Sequence, residues 1–263
     1  MFDVTTENTR AAEELRARMR RFYDSVPDYD AFAETNDLGP FWRPVLAEVR
    51  ARSTAGVCRV LEFGAGRSGF AAKLGALRPN VEFHVQDITA VNAEHLREVA
   101  DHVWIGELGQ VSGCYDVIFS TFVWEHLPNP RQSLTQLLAL LAPNGCLILA
   151  SPRYDVPGYV PPSARRLAKR SQWLLSAWLA WRRARVLFGA SPDFLVHSEP
   201  ACLHGPWFRD ADAIHWVSRF DLRHLEGDYR IESLRIPTVG LKSRLWARFA
   251  LLFVRITRTT SQQ

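Results

Sequence analysis

One short segment combines the residue types that a ligand-binding turn needs. The ten residues from Val60 read VLEFGAGRSG, an apolar run followed by glycines at Gly64, Gly66 and Gly69. Glycine has no Cβ atom, so the backbone can turn sharply and a ligand can approach it closely. A helix that begins at about Ser68 would point free N–H groups back at the turn, where they suit a carboxylate or a phosphate. The segment therefore predicts a site for an adenosine-containing cofactor.

The same segment fits two ligand chemistries. Its glycines spell G-x-G-x-x-G, the fingerprint of dinucleotide binding, which would make the protein a nicotinamide-dependent oxidoreductase. Glu62, two residues before the first glycine, argues against this hypothesis because a carboxylate at the end of the strand would repel a pyrophosphate. It would instead attract an ammonium group. A third interpretation is an ordinary strand, turn and helix that binds nothing.

The positions around the turn belong to a repeating pattern of strands and helices. Strands are predicted at Val57–Phe63, Val81–Gln86, His102–Ile105, Asp116–Thr121 and Cys146–Ala150, with helical segments between them. This alternation predicts a doubly wound, Rossmann-like α/β fold with a mostly parallel sheet. Ligands of such sheets bind at the carboxyl ends of the strands, where Asp87, Glu107 and the segment from Ser120 to His126 also fall.

The remainder of the chain completes the predicted fold. A helix over 210–225 and strands at Tyr229–Ile236 and Leu251–Thr259 would bring the sheet to seven strands. The predicted organisation is a helical cap over residues 1–52, the cofactor-binding half over 53–151, an insert or lid over 152–208, and the rest of the domain over 209–263. The cap contains an aromatic cluster that either packs on the core or covers the cofactor: Tyr23, Tyr29, Phe32, Phe41 and Trp42.

Composition limits the possible classes of protein. Of the 263 residues, 47% are hydrophobic, which suits a large core and argues against disorder. No apolar run approaches the ~20 residues of a membrane-spanning helix, and the N-terminus lacks a signal pattern. The four cysteines have no zinc spacing and are interpreted as buried thiols in a reducing compartment. A cytoplasmic protein is therefore expected.

Two further segments support one of the hypotheses. The residues from Tyr115 read YDVIFSTFVWEHLP, and those from Leu141 read LAPNGCLILASP. Together with Glu62, Gly64 and the later Asp87, they resemble the ordered signature of class I S-adenosylmethionine-dependent methyltransferases that act on small molecules. The resemblance covers residues 57–152. It implies the Rossmann-like fold, S-adenosylmethionine as the cofactor, and transfer of its methyl group to a small-molecule or lipid- or glycan-linked acceptor, expected at oxygen.

The resemblance also implies roles for individual residues. Glu62 would hold the amine of the methionine moiety, Asp87 the ribose hydroxyls, and Ile88 and Leu108 would flank the adenine. The full set of expected cofactor-binding residues is Glu62, Gly64, Ala65, Gly66, Asp87, Ile88, Glu107, Leu108 and Ser120. The alternative for Asp87 is a purely local role at the start of a helix, and the alternative for Glu107 is a solvated acid in a loop. His126 is the candidate general base, with a structural histidine as the alternative. No metal is expected, because Phe122 occupies the position where some relatives carry a ligating carboxylate.

The insert contains a helix of unusual composition. Residues 163–188 hold seven basic residues and no acidic ones around a centre that reads WLLSAWLAW. One interpretation is a lid or dimer contact packed on the domain. The other is a shallow contact with the inner face of a membrane, through tryptophans at the interface and arginines on anionic headgroups. No nucleic-acid partner is expected, since no known binding module is present. A non-catalytic scaffold that only binds the cofactor is a further alternative to the enzyme.

Overall fold

The computed structural model describes residues 4–5, 9–25, 38–205 and 210–259. Its strands are β1 (Val4–Thr5), β2 (Cys58–Phe63), β3 (Val81–Asp87), β4 (His102–Ile105), β5 (Tyr115–Thr121), β6 (Leu141–Pro152), β7 (Val196–His197), β8 (Tyr229–Ser233) and β9 (Leu251–Arg258). Its α-helices are α1 (Thr9–Ser25), α2 (Gly39–Ser53), α3 (Phe70–Leu74), α4 (Ala93–Val99), α5 (Pro130–Ala139), α6 (Lys169–Leu187) and α7 (Leu241–Phe249).

Seven of these strands form one sheet. Their order is β4-β3-β2-β5-β6-β9-β8. The strands from β4 to β6 are parallel, whereas β9 runs antiparallel to both β6 and β8. The chain leaves strand β2 toward β3 and β4 on one side and later crosses to β5 on its other side. This reversal of strand order leaves a crevice at the carboxyl ends of β2 and β5, where ligands of open α/β sheets bind.

Alternating side chains on the strands build a core on each face of the sheet. On β2, Val60 belongs to the cluster that α2 covers, whereas Leu61 belongs to the opposite cluster, covered by α5. Proline near the N-terminus of both helices suits a position that needs no N–H donor. The buried residues of α2 recur at helical spacing, as Phe41, Val45 and Val49. The predicted seven-stranded, mostly parallel fold class is confirmed.

Three predicted details are wrong. The segment over 210–225 is not an α-helix: it runs as buried irregular chain and ends in a 3-10 helix at Arg219–Leu225. The helix expected from Ser68 to Leu77 is shorter, because α3 ends at Leu74 and a 3-10 helix follows it. Cys114 is exposed, whereas the other three cysteines are buried. Helix α7 was not predicted.

The N-terminal segment packs on the predicted insert. Strand β1 pairs antiparallel with β7 of the insert, and Leu15 and Met19 of α1 pack against Val196 in the insert and Ile214 beyond it. Of the predicted aromatic cluster, Phe41 and Trp42 are buried in the core. Tyr29 and Phe32 lie outside the described residues. The proposed domain boundaries stay a prediction.

Helix α6 has two apolar faces of different kinds. Leu175, Leu179 and Val186 are buried at helical spacing and pack the helix onto the domain. On the opposite face, Trp173 is 71% exposed and Trp181 58% exposed. Because apolar residues lie on both the buried and the exposed face, the centre of the helix has no single apolar stripe. Within the described part of the chain, no helix is long and apolar enough to cross a membrane.

Candidate active site

The turn after β2 has the backbone geometry that its glycines allow. Gly64 has φ +71° and Gly66 has φ +52°, which are left-handed values that favour glycine. A Cβ atom on Gly64 would lie 2.5 Å from both methyl groups of Val123, whereas one on Gly66 would meet nothing within 4 Å. The turn therefore packs tightly on the segment after β5 at Gly64 and opens into free space at Gly66.

Glu62 is buried at the carboxyl end of β2, beside this turn. Its Oε2 accepts a hydrogen bond from Oγ of Ser68 at 2.5 Å. Burial raises the pKa of Glu62 to about 8, against the smaller effect of the Ser68 hydrogen bond, and the nearby charge of Asp87 also raises it. A buried carboxylate with no cation among these contacts suits a positively charged ligand group, which would lower its pKa again.

Asp87 at the end of β3 has two local partners. Its Oδ2 accepts from the backbone N–H of Gly66 at 2.7 Å, and its Oδ1 accepts from the N–H of Thr89 at 3.0 Å. Burial raises its pKa, while these backbone hydrogen bonds lower it. The carboxylate thus fixes the glycine turn and lines the adjoining cavity. It has both the local role and a position from which ribose hydroxyls can be bound.

The other predicted cofactor residues meet at the same edge of the sheet, with one exception. Ala65, Ile88 and Leu108 line the cavity, and so does Glu107, which is paired with Arg16 at 3.5 Å. Ser120 does not line it. This residue is buried within β5 and donates its hydroxyl to the carbonyl oxygen of Phe63 at 3.0 Å.

A single cavity of about 1020 Å³ includes all of these lining residues. The volume lies at the upper end of the range for small-molecule sites, so it can hold a cofactor and a second molecule. At the cofactor end it is lined by Glu62, the glycine turn and Asp87. At the other end it is lined by polar groups that come from four separate parts of the chain: Tyr23, Glu125, His126, Tyr154, Tyr159, Asp210 and Asp212.

His126, the predicted base, is held in an ion pair. Its Nδ1 lies 3.1 Å from Oδ2 of Asp212, and this oxygen also accepts from the hydroxyl of Tyr23 at 3.1 Å. Burial lowers the pKa of His126, but the Asp212 carboxylate outweighs burial and raises it to about 10. The imidazole is therefore protonated at neutral pH and has no lone pair with which to accept a proton. The structure favours the structural alternative for His126 over a general base.

The part of the cavity between the two ends carries backbone strain. Phe122 follows β5 with φ +59°, an uncommon value for a residue with a bulky side chain. Its N–H donates to the carbonyl oxygen of Ala150 at 2.7 Å, and its ring packs edge-on against Phe41. The strained turn leads into Val123, whose methyl groups lie against Gly64 of the glycine turn. Strained residues of this kind cluster at functional sites.

The family follows from a direct comparison. A family model described as a methyltransferase domain matches residues 10–226, which is most of the chain. The chain belongs to this methyltransferase family. The recognition of an S-adenosylmethionine-dependent methyltransferase from its sequence is confirmed, and so is the enzyme class. A search of curated proteins finds no match.

Solved methyltransferases share the fold of the chain. The plantazolicin methyltransferase BpumL, in complex with S-adenosylhomocysteine, is 14% identical with a TM-score of 0.52, over 95% of this chain and 98% of that one. The 1,6-didemethyltoxoflavin-N1-methyltransferase of Burkholderia thailandensis is 17% identical with a TM-score of 0.56, over 94% and 90%. At these identities the likeness shows the fold.

The residues present fit S-adenosylmethionine. Glu62 offers a buried carboxylate for the ammonium group, Asp87 offers a carboxylate for the ribose, and the space beside Gly66 is open. When bound, this cofactor supplies a methyl group on a positively charged sulfur. The chain contributes the position of the acceptor and the polar surroundings in which the transfer occurs.

Proposed function

We propose that this methyltransferase transfers the methyl group to an oxygen atom of a small-molecule acceptor. One observation carries the proposal: the cavity continues from the buried carboxylate of Glu62 to a second group of buried polar side chains around Glu125 and Asp212. A cofactor held by the first group therefore leaves room for an acceptor at the second. Oxygen acceptors need such polar partners to orient the hydroxyl group and to receive its proton.

The acceptor is proposed to be flat and aromatic. Tyr154 and Tyr159 line the cavity as a stacked pair, with ring centroids 5.6 Å apart and planes 17° apart. Phe122 and Trp246 add further aromatic surface to the lining. Two methyltransferases with a similar fold are named for plantazolicin and for a toxoflavin precursor, which supports a small-molecule or peptide acceptor.

The role of the insert also belongs to this proposal. Residues 152–208 leave the sheet directly after β6 and supply Pro152, Tyr154 and Tyr159 to the lining of the cavity. We infer that they select the acceptor, while the residues around Glu62 and Asp87 bind the cofactor. Replacing Tyr159 by alanine should then raise the KM for the acceptor and leave the Kd for S-adenosylhomocysteine unchanged.

The proposed chemistry is tested with a matched pair of acceptors. The enzyme is incubated with S-adenosylmethionine and either 5-indanol or 5-aminoindane, which differ only in the nucleophilic atom. Formation of S-adenosylhomocysteine with 5-indanol, and an O-methyl product by mass spectrometry, is expected. Faster turnover of 5-aminoindane would replace oxygen by nitrogen as the accepting atom, and lipid- or glycan-linked phenols can be compared in the same assay.

The exposed face of α6 is proposed as a peripheral membrane contact. Trp173, Leu174 and Trp181 are exposed together with Arg170 and Arg185, and no acidic residue lies on this helix. The wild-type protein should sediment with anionic vesicles at low salt, and a Trp173→Ser/Trp181→Ser variant should not. Equal recovery in the supernatant with neutral and anionic vesicles would leave α6 only its packing role.

A further inference from the structure

One buried hydroxyl group at the acceptor end has no hydrogen-bond partner among the residues that the structure describes. Tyr154 is 1% exposed, it lines the cavity, and its Oη makes no hydrogen bond to the described residues. A buried hydroxyl that makes no hydrogen bond destabilises the folded protein. Natural structures retain such a group when a ligand or water satisfies it, so the Tyr154 hydroxyl points to a ligand group in the cavity.

The position of this hydroxyl is fixed by its surroundings. The backbone N–H of Tyr154 donates to the carbonyl oxygen of Val217 at 2.9 Å, and its carbonyl oxygen accepts from the buried guanidinium of Arg183. The ring stacks on Tyr159. Burial raises the pKa of Tyr154 well above its usual value, and the charge of Glu125 raises it further. The hydroxyl therefore stays protonated and can donate a hydrogen bond.

Glu125 is a second buried polar group at this end of the cavity. It is buried in the turn after β5 and lines the same cavity, and its Oε2 accepts from Oγ of Ser151 at 2.9 Å. Its Oε1 lies 3.8 Å from Nε2 of His126. Three titratable groups influence Glu125 electrostatically: the Tyr154 hydroxyl, His126 on the same turn, and Asp210 on the segment 210–218. Asp212 is paired with His126.

The protonation and the surroundings of these groups favour Glu125 as the proton acceptor, since Asp210 is exposed to solvent. Burial raises the pKa of Glu125 to about 7, while the charge of His126 lowers it. A carboxyl group of this pKa is partly ionised at neutral pH and suits general base catalysis there. His126 is already charged, and Asp212 is occupied by His126 and Tyr23, so neither can take the proton of an acceptor hydroxyl.

We propose that Tyr154 and Glu125 form the subsite for the nucleophilic hydroxyl group of an uncharged, phenol-type acceptor. Tyr154 donates a hydrogen bond to the acceptor oxygen, and Glu125 accepts the hydrogen bond from the hydroxyl and then its proton. The acceptor oxygen forms a bond to the methyl carbon as the bond from that carbon to sulfur breaks, and the electron pair of that bond stays on sulfur. Glu125 ends protonated and returns the proton to solvent.

The subsite also sets the charge of the acceptor. Glu125, Asp210 and Asp212 place three carboxyl groups around His126 at this end of the cavity, and the cations Arg16 and Arg20 line the cavity from α1. Carboxylate or phosphate groups placed next to the reacting oxygen would be repelled, so neutral phenols are the favoured class. This inference deepens the proposed function and rests on it.

Two variants and two acceptors test the subsite. Glu125→Gln and Tyr154→Phe remove one functional group each, and Glu98→Gln and Tyr115→Phe are matched controls away from the cavity. With 5-indanol, Glu125→Gln should lower kcat at least 100-fold, within the usual contribution of a general base. With S-adenosylmethionine at saturation, so that the titration of Glu62 does not contribute, the rate of wild type should rise with pH up to about 7 and then level off. This rise should vanish in Glu125→Gln. The more acidic 4-nitrophenol needs no base, so the variant should lose much less with it.

Binding of 5-indanol to the S-adenosylhomocysteine complex provides a readout that does not require turnover. Tyr154→Phe should weaken this binding about tenfold, the effect of one hydrogen bond of ordinary strength, and Tyr115→Phe should not. If wild type binds 5-indanol through Tyr154 but forms no product with any acceptor, the proposed function fails and the subsite stands. A Glu125→Gln enzyme that keeps the rate and pH profile of wild type with 5-indanol overturns the role of Glu125. An unchanged Kd in Tyr154→Phe overturns that of Tyr154.

Discussion

Replacing Glu62 by glutamine isolates the charge that is proposed to hold the ammonium group of the cofactor. Glutamine has nearly the same shape, and its amide oxygen can still accept the hydrogen bond that Ser68 donates to Glu62. The glycine turn is fixed separately, through Asp87 and the N–H of Gly66. The variant should therefore fold normally and lose only the carboxylate.

The expected loss of affinity follows from the contact and from its pH dependence. A hydrogen bond between charged groups contributes about 1.5–3 kcal/mol, which corresponds to roughly a 10–100-fold weaker Kd. Because burial raises the pKa of Glu62 to about 8, wild type must lose a proton from this carboxyl group before it binds the cation. The affinity of wild type should thus rise about tenfold per pH unit between pH 6 and pH 7.

Calorimetric titration of S-adenosylhomocysteine at several pH values measures both effects. The amino group of this ligand remains protonated below pH 7, so its own titration does not mask that of Glu62. The Glu62→Gln variant should bind weakly with an affinity that is nearly independent of pH. Glu98→Gln, an exposed carboxylate outside the cavity, should behave as wild type. A wild-type affinity that does not change with pH, or a Glu62→Gln variant as tight as wild type, would refute the reasoning.

Three further predictions concern the turn, the stability of the apoprotein and the paired histidine. Gly64→Ala should weaken cofactor binding and lower the free energy of unfolding by about 2–4 kcal/mol, because alanine would adopt a left-handed conformation and clash with Val123. Gly69→Ala should be tolerated, and equal melting temperatures of the two variants would contradict this prediction. The folded pKa values of Glu62 and His126 lie above their usual values, so the native state binds more protons than the unfolded state. The free energy of unfolding of the apoprotein should therefore fall by about 1 kcal/mol per group and pH unit between pH 6.5 and 8, and a rise with pH would contradict this. His126→Gln should lower the melting temperature, because it removes the ion pair with Asp212, but the variant should still form S-adenosylhomocysteine. Complete loss of turnover in a folded variant is the result expected if His126 were the general base.

The elements around the cofactor were predictable because their sequence signals are local. The apolar strands β2 to β6 are bounded by turn residues, and a carboxylate lies at or just after the carboxyl end of β2, β3 and β4. The exception, Ser120, shows the limit of this reasoning. Successive side chains of a strand point in opposite directions, so a shift of one residue changes whether a side chain reaches the cavity. Thr121, the residue after Ser120, lines the cavity.

The acceptor end could not be predicted, because it depends on contacts between distant segments. His126 meets Asp212, which lies 86 residues later in a segment predicted as a helix. That segment is buried on all sides, with Ala211, Ile214 and Trp216 in the interior, so it carries no amphipathic pattern. The only sequence signal for Tyr154 is its place just after β6, where the chain leaves the carboxyl end of the sheet.

The most direct test of methyl transfer in this cavity uses S-adenosylmethionine with a deuterated methyl group. The protein is incubated with this donor and a panel of hydroxylated and aminated aromatic acceptors, and products are identified by mass spectrometry. Transfer of the intact deuterated methyl group to an acceptor oxygen, with one S-adenosylhomocysteine formed for each product, is the predicted result. Methyl transfer would be contradicted if the protein binds the donor tightly but forms no S-adenosylhomocysteine above the protein-free blank with any acceptor in the panel.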